Sequence, residues 1–126
     1  MKLIHAPAAI ALAAALAVAG AKAQTRAKAD VTCAPTGKPL VYDCAIKLAD
    51  AAGAPLAGVD VTLGADMPSM PMAHNVRPVK GEPAAEPGLY RARLELEMHG
   101  DWALRIDLSG AIRDRIVKPM RFEAPR

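Results

Sequence analysis

The side chains best suited to chemistry in this sequence are methionines and a histidine that lie close together in one short segment. Four of them fall within eight residues, namely Met67, Met70, Met72 and His74. The whole chain contains only six methionines, so half of them lie in this segment. Thioether sulfur is a soft, neutral ligand that selects Cu(I), whereas imidazole binds Cu(I), Cu(II) and zinc. The segment therefore predicts a Cu(I) site formed by these four side chains.

Two prolines within the segment favour a preformed loop. Pro68 and Pro71 have fixed φ angles, so less conformational entropy is lost when the loop becomes ordered around a ligand. In an extended backbone, Met70, Met72 and His74 would project to the same side because side chains alternate along a strand. A thioether also needs no deprotonation, so such a site would function in an acidified, oxidising compartment.

The same methionines have an alternative explanation that involves no metal. Methionine is flexible and fills irregular apolar surfaces, so the loop would close an open end of the fold or contact another protein. Met98 and His99, which adjoin at a predicted turn, are further candidate ligands. A polar residue in a turn also has an ordinary structural explanation, so both hypotheses stay open.

The two cysteines predict a structural disulfide. Cys33 and Cys44 are the only cysteines of the chain and flank a turn-forming segment that contains two prolines. An even pair in an exported protein is first interpreted as a disulfide, and closing a loop of this length contributes about 3 kcal/mol in the chain-entropy account. Their spacing is unlike the C-x-x-C pattern of redox-active pairs.

The sequence contains no recognisable catalytic constellation. Glu95 and Glu97 share a predicted strand face with Arg91 and Arg93, which indicates a solvated, salt-bridged face. Neither serine lies in a Gly-x-Ser-x-Gly motif, and no glycine-rich phosphate loop is present. There is no basic stripe with interleaved aromatic residues. We therefore expect neither an enzyme nor a nucleic-acid-binding protein.

The elements that must position these residues are predicted to be β-strands. Apolar and polar residues alternate over the segments 40–48, 59–63, 89–98, 101–108 and 115–122. The segments 89–98 and 101–108 are expected to pair as a hairpin, and 80–87 to form an exposed loop. About seven short strands at this spacing predict an all-β sandwich.

The N-terminal segment has the pattern of a secretory signal peptide. Lys2 precedes an apolar run over 6–20, and Ala21-Lys22-Ala23 provides a small-x-small cleavage site before Gln24. The run has 15 residues, fewer than the roughly 20 that span a bilayer. We expect a signal peptide over 1–23, a flexible arm over 24–30 and one domain over 31–126. The expected product is periplasmic or secreted, without a stable membrane span; an uncleaved anchor is the alternative.

Several motifs in residues 40–108 together resemble the YtkA-like domain family, which also appears under the FixH-like label. They are Gly53-Ala54-Pro55, Gly58-Val59-Asp60-Val61, Met67-Pro68-Ser69-Met70-Pro71-Met72, Pro87-Gly88-Leu89-Tyr90 and Met98-His99-Gly100-Asp101-Trp102. The fourth motif also resembles a tyrosine corner, in which the hydroxyl bonds to upstream backbone.

The resemblance implies an immunoglobulin-like sandwich in the cell envelope. Relatives are often associated with copper handling, efflux assemblies or cytochrome oxidase maturation, so an efflux or oxidase-assembly component is the implied partner. FixH proper looks membrane-anchored, whereas this leader looks cleavable, and the cysteine pair is outside the family pattern. The combined expectation is an exported, non-catalytic protein that binds Cu(I) through its Met/His loop. The alternative is a structural or interaction module whose loop is an apolar contact surface.

Overall fold

The computed structural model describes residues 26–71 and 76–125, which form seven β-strands and no helix. The strands are β1 Lys28–Pro35, β2 Val41–Ala49, β3 Val59–Asp66, β4 Val79–Pro83, β5 Leu89–Glu95, β6 Gly100–Gly110 and β7 Asp114–Phe122. Within those two stretches, no helix has the length and apolar character needed to cross a membrane.

All neighbouring strands pair antiparallel in the order β1-β2-β5-β4-β3-β6-β7. β4 connects the two layers, because its first residues pair with β3 and its last residues, Glu82 and Pro83, pair with β5. One layer thus has the order β1-β2-β5-β4 and the other contains β3-β6-β7. These are the strand orders of a constant-type immunoglobulin sandwich, which confirms the predicted fold class.

The sheet is nearly closed, and β1 and β7 are its two edges. Both run in the same direction, because an odd number of antiparallel strands leaves the first and last parallel. The backbone N–H of Ala27 donates a hydrogen bond to Asp114 Oδ2 across 3.1 Å, which connects the residue before β1 to the first residue of β7. This contact joins the edges at one end of the sandwich.

The core lies between the two layers and is built by alternating side chains from both. The largest fully buried side chains are Trp102, Ile46, Leu48, Leu63, Leu94, Leu104, Ile106, Val61 and Cys44. No polar or charged residue is buried among those that the structure describes. The inward faces predicted for β2, β3 and β6 are confirmed, since their alternating apolar residues are the ones that are buried.

Tyr90 connects the two layers through its hydroxyl group. It donates a hydrogen bond to the carbonyl oxygen of Leu56 across 2.9 Å and accepts one from the N–H of Val59 across 3.3 Å. The predicted link from the tyrosine to upstream backbone is thus confirmed. It lies at the start of β5, whereas the tyrosine corner of immunoglobulin domains occupies the strand that corresponds to β6.

The predicted hairpin between 89–98 and 101–108 is wrong. β5 ends at Glu95 and pairs with β2 and β4, while β6 pairs with β3 and β7. The intervening residues 96–99 carry the chain from one layer to the other. Alternation shows only that each strand has one buried face, and two strands that face each other across a core have the same pattern as two paired strands.

Two further expectations need correction. β1 begins at Lys28, inside the segment 24–30 predicted as a flexible arm, and both Ala27 and Ala29 are buried. β4 occupies part of the predicted loop 80–87, where Gly81 packs closely against Val61. In both cases the inward residues are alanine or glycine, whose small side chains leave little hydrophobic pattern to detect.

Candidate metal-binding end of the sandwich

Two segments that carry methionine meet at one end of the sandwich. β3 and β6 are antiparallel with Asp66 opposite Ala103, so the loop after β3 lies beside the turn that precedes β6. A Cβ atom added at Gly100 would lie 3.3 Å from Met67 Cε, which places the Met67 side chain directly against that turn. The fold therefore brings together residues 67–71 and 96–100, which are far apart in the sequence.

Met67 anchors the loop and is not exposed. Its side chain is 3% exposed and belongs to the hydrophobic core. The N–H of Met70 donates a hydrogen bond to the carbonyl oxygen of Met67 across 3.0 Å, so residues 67–70 form a turn with Pro68 in its favoured second position. The loop is thus bent here rather than extended. For Met67 alone, the location favours the packing hypothesis.

The turn that carries Met98 and His99 is held by the indole of Trp102. Trp102 is 1% exposed, and its Nε1–H donates a hydrogen bond to the carbonyl oxygen of Met98 across 3.1 Å. Gly100 has a φ of 138°, a conformation that side chains with a Cβ rarely adopt. Met98, predicted on the buried face of β5, is instead 37% exposed, because β5 ends at Glu95.

The exposed apolar surface of the described residues is dominated by methionine at this end. Three large hydrophobic side chains are exposed within 26–71 and 76–125: Met70 at 39%, Met98 at 37% and Val117 at 57%. Met70 and Met98 belong to the two segments that the contact between Met67 and Gly100 joins. Met72 and His74 of the predicted ligand set lie outside the described residues. The described part of the chain contains no group of three or more His, Cys, Asp or Glu side chains arranged to hold a metal ion.

Within the motif Met98-His99-Gly100-Asp101-Trp102, the tryptophan holds the turn, and the glycine admits the methionine of the other loop. The chain matches the YtkA-like family over residues 22–107, more than half of its length. It belongs to the YtkA-like family. No curated protein and no solved structure matched the chain.

The carboxylate beside the methionine loop of this YtkA-like domain is paired with an arginine. Asp66 Oδ2 accepts a hydrogen bond from Arg105 Nη1, and Arg105 Nε donates to Asp107 Oδ2 across 3.2 Å. A Cβ added at Gly64 would lie 2.8 Å from Arg105 Nη2, so the glycine allows the guanidinium to lie flat on β3. Alternation in the sequence does not reveal this network, in which the Asp66 carboxylate already has a cationic partner.

Charge pairing also borders the Met98 turn. Arg121 Nη1 donates to both carboxylate oxygens of Asp101, and Arg121 Nε donates to Glu123 Oε1 across 2.9 Å. The bond to Glu123 and the bonds to Asp101 raise the pKa of Arg121 above its ordinary value. Asp101 thus has an arginine partner, although the pair is exposed and contributes little to stability.

A groove of about 490 Å³ opens at the same end, between the residues before β4 and the end of β5. It is lined by residues 76–79 on one side and by Arg93 and residues 95–97 on the other. It forms because β4 pairs with β5 only at Glu82 and Pro83, whereas its first residues lie beside β3. Sequence reasoning did not detect it, since it depends on strand pairing.

The cysteine pair lies in the β1–β2 ladder. Cys33 and Cys44 are directly opposite each other, and their sulfur atoms are 2.08 Å apart, at bonding distance. This supports the predicted disulfide. Cys44 is buried in the core, whereas Cys33 is partly buried at the edge. The bond joins two strands of one layer, unlike the inter-sheet disulfide of antibody domains.

Proposed function

We propose that this YtkA-like protein is exported, is not an enzyme, and binds Cu(I) at the end of the sandwich where its methionine loop meets the Met98 turn. The observation that carries the proposal is the contact between Met67 and Gly100. It brings the exposed Met70 and Met98 to the same end of the domain, although 27 residues lie between them in the sequence.

The proposed ligands are Met70, Met72 and His74 of the loop, with Met98 and His99 as additional donors. Met67, included in the ligand set from the sequence, is assigned the role of packing anchor because its side chain is buried. Thioethers and imidazole form a soft, largely neutral donor set, which suits Cu(I) better than a hard divalent ion. Both cysteines are bonded to each other, so the methionines are the available sulfur donors.

The anchoring contacts support preorganisation of the ligands. The turn closed between Met67 and Met70 and the bond from Trp102 to Met98 hold both segments before any ion arrives. A preformed site loses less conformational entropy on binding, which raises affinity without additional contacts.

The role proposed for this site is copper handling or assembly of an envelope metalloprotein, with an efflux or oxidase-assembly component as the partner. The family assignment and the bonded cysteines support an oxidising, extracytoplasmic location. Neutral thioethers suit such a compartment, because they do not form disulfides and protons do not compete with the metal ion for them.

The proposal is tested by titrating the protein with Cu(I) against a competing chelator, beside parallel titrations with Zn²⁺ and Ni²⁺. We expect one Cu(I) per chain, preferred over both divalent ions, and X-ray absorption spectra with sulfur neighbours to copper. Equal or tighter binding of Zn²⁺ would contradict the proposal.

A second function is supported by a specific observation, the burial of Met67 in the core. Under this alternative, the whole loop is an apolar contact surface for a protein partner, and exposed Met70 and Met98 are its adaptable contacts. The two functions differ in what polar replacement does. If the loop is a contact surface, Met70→Gln should weaken partner binding, and copper should have no effect on that binding. If the loop binds metal, the same substitution should weaken Cu(I) binding.

A further inference from the structure

A second groove lies at the opposite end of the sandwich from the methionine loop. Its volume is about 400 Å³, and it is lined by Arg26 and Ala27 ahead of β1 and by residues 113–117 around the start of β7. β6 runs from Gly100 at the methionine end to Gly110 at this end, a distance of roughly 30 Å for a strand of that length. The groove is therefore independent of the proposed copper site.

The groove is lined by more positive charge than its carboxylates neutralise. Three of its lining residues are arginines, Arg26, Arg113 and Arg115, and one lining residue, Asp114, is acidic. Asp114 Oδ2 accepts the Ala27 N–H across 3.1 Å, and Oδ1 accepts the Arg115 N–H across 2.8 Å. Both carboxylate oxygens thus bond to backbone N–H groups, and among the described residues neither bonds to an arginine side chain.

The arginine side chains differ in their partners. Arg115 Nε donates to Asp107 Oδ1 across 2.6 Å, outside the groove. Over the part of the chain that the structure describes, Arg26 and Arg113 have no ion pair. On β6 and β7, Arg105, Arg115 and Arg121 all have carboxylate partners. Arg26 and Arg113 therefore line this groove without a carboxylate partner among the described residues.

We propose that the arginine groove, formed by Arg26, Arg113 and Arg115, binds a phosphate-class oxyanion. Guanidinium presents a planar fork of N–H donors that matches phosphate oxygens in bidentate geometry. The volume is in the range of small-ligand sites and holds a phosphate ester as well as inorganic phosphate. Free phosphate compounds and phospholipid headgroups present the same chemistry, so either is a source of the ligand.

The test is a titration of the purified full chain with inorganic phosphate at low salt, in which binding is monitored by backbone amide NMR shifts. We expect saturable shifts at Ala27 and at residues 113–117, and a dissociation constant about tenfold weaker in Arg113→Ala, since a charged hydrogen bond is lost. Arg113→Lys should restore part of the affinity. Arg91→Ala, an exposed arginine on β5 outside the groove, is the matched control and should leave the constant unchanged.

Vesicles distinguish the two sources. Arg113-dependent binding to phosphatidylglycerol vesicles, with none to phosphatidylcholine vesicles, identifies a lipid headgroup as a ligand. Binding of inorganic phosphate without vesicle binding identifies a soluble phosphate. The proposal is overturned if neither probe binds in an Arg113-dependent manner, or if Arg91→Ala weakens binding as much as Arg113→Ala. Cu(I) affinity should be the same in all three variants, so failure here is separable from failure of the copper proposal.

Discussion

The indole Nε1–H of Trp102 donates a hydrogen bond to the carbonyl oxygen of Met98 across 3.1 Å. Through this bond, a fully buried core residue fixes the position of an exposed methionine. Core packing and the geometry of the proposed copper site are therefore coupled at this residue.

Replacing Trp102 by Phe should lower both stability and Cu(I) affinity. The substitution removes the donor to Met98 and leaves a cavity, so we expect the free energy of unfolding to fall by about 2–4 kcal/mol. Urea unfolding measures this loss, and amide exchange of residues 98 and 99 should rise by more than that of β2. Unchanged exchange in the turn would show that the indole does not hold it.

Gly100→Ala should destabilise the protein for two separable reasons. The residue has a positive φ, and the added Cβ would lie 3.3 Å from Met67 Cε. Gly53→Ala is the matched control, because Gly53 also has a positive φ but open space around it. We expect about 1–3 kcal/mol for strain in both, with an additional loss at Gly100 from displacing Met67. Equal losses in thermal or urea unfolding would contradict the packing contact.

Removal of the Tyr90 hydroxyl should weaken the link between the two layers. Tyr90→Phe leaves the Leu56 carbonyl and the Val59 N–H without their partner, which predicts a loss of about 1–3 kcal/mol. Tyr42→Phe is the control, since the Tyr42 ring packs against Phe122 and its hydroxyl has no hydrogen bond among the described residues. A loss in urea unfolding as large for Tyr42→Phe as for Tyr90→Phe would contradict this account.

Reduction of the disulfide should loosen β1 more than any other strand. β1 pairs only with β2, and the buried side chains around its start, Ala27 and Ala29, are small. The bond to Cys44 is therefore a major part of its attachment, worth about 3 kcal/mol in the chain-entropy account. Hydrogen exchange with and without reductant should show lost protection in β1 while β6 stays protected. Unchanged protection of β1 would contradict the prediction.

Alternation in the sequence predicts the inward faces of β2, β3, β5 and β6, because large apolar residues mark them. It does not predict β1 and β4, whose inward positions at Ala27, Ala29 and Gly81 carry little apolar surface. Nor does it specify which strands pair. The sequence pattern predicts a hairpin between β5 and β6, but in the structure the two strands lie in different layers.

The candidate site shows the same division. The density of methionine identifies the loop from the sequence alone. The burial of Met67, however, depends on the register of β3 against β6, which alternation does not determine. The arginine groove is still harder to predict from the sequence, because Arg26 and Arg113 come together only when the two edge strands meet.

The most direct test of the central claim is the Cu(I) affinity of the double variant Met70→Leu, Met72→Leu, measured by chelator competition. Leucine retains much of the apolar volume, so stability should change by less than about 1.5 kcal/mol per substitution. Met120→Leu, a partly buried methionine on β7, is the control. We predict that Cu(I) affinity falls tenfold or more in the double variant and is unchanged in Met120→Leu, since each 1.4 kcal/mol of lost binding is about tenfold. An unchanged affinity in the double variant, or no Cu(I) binding by the wild type, would contradict the account.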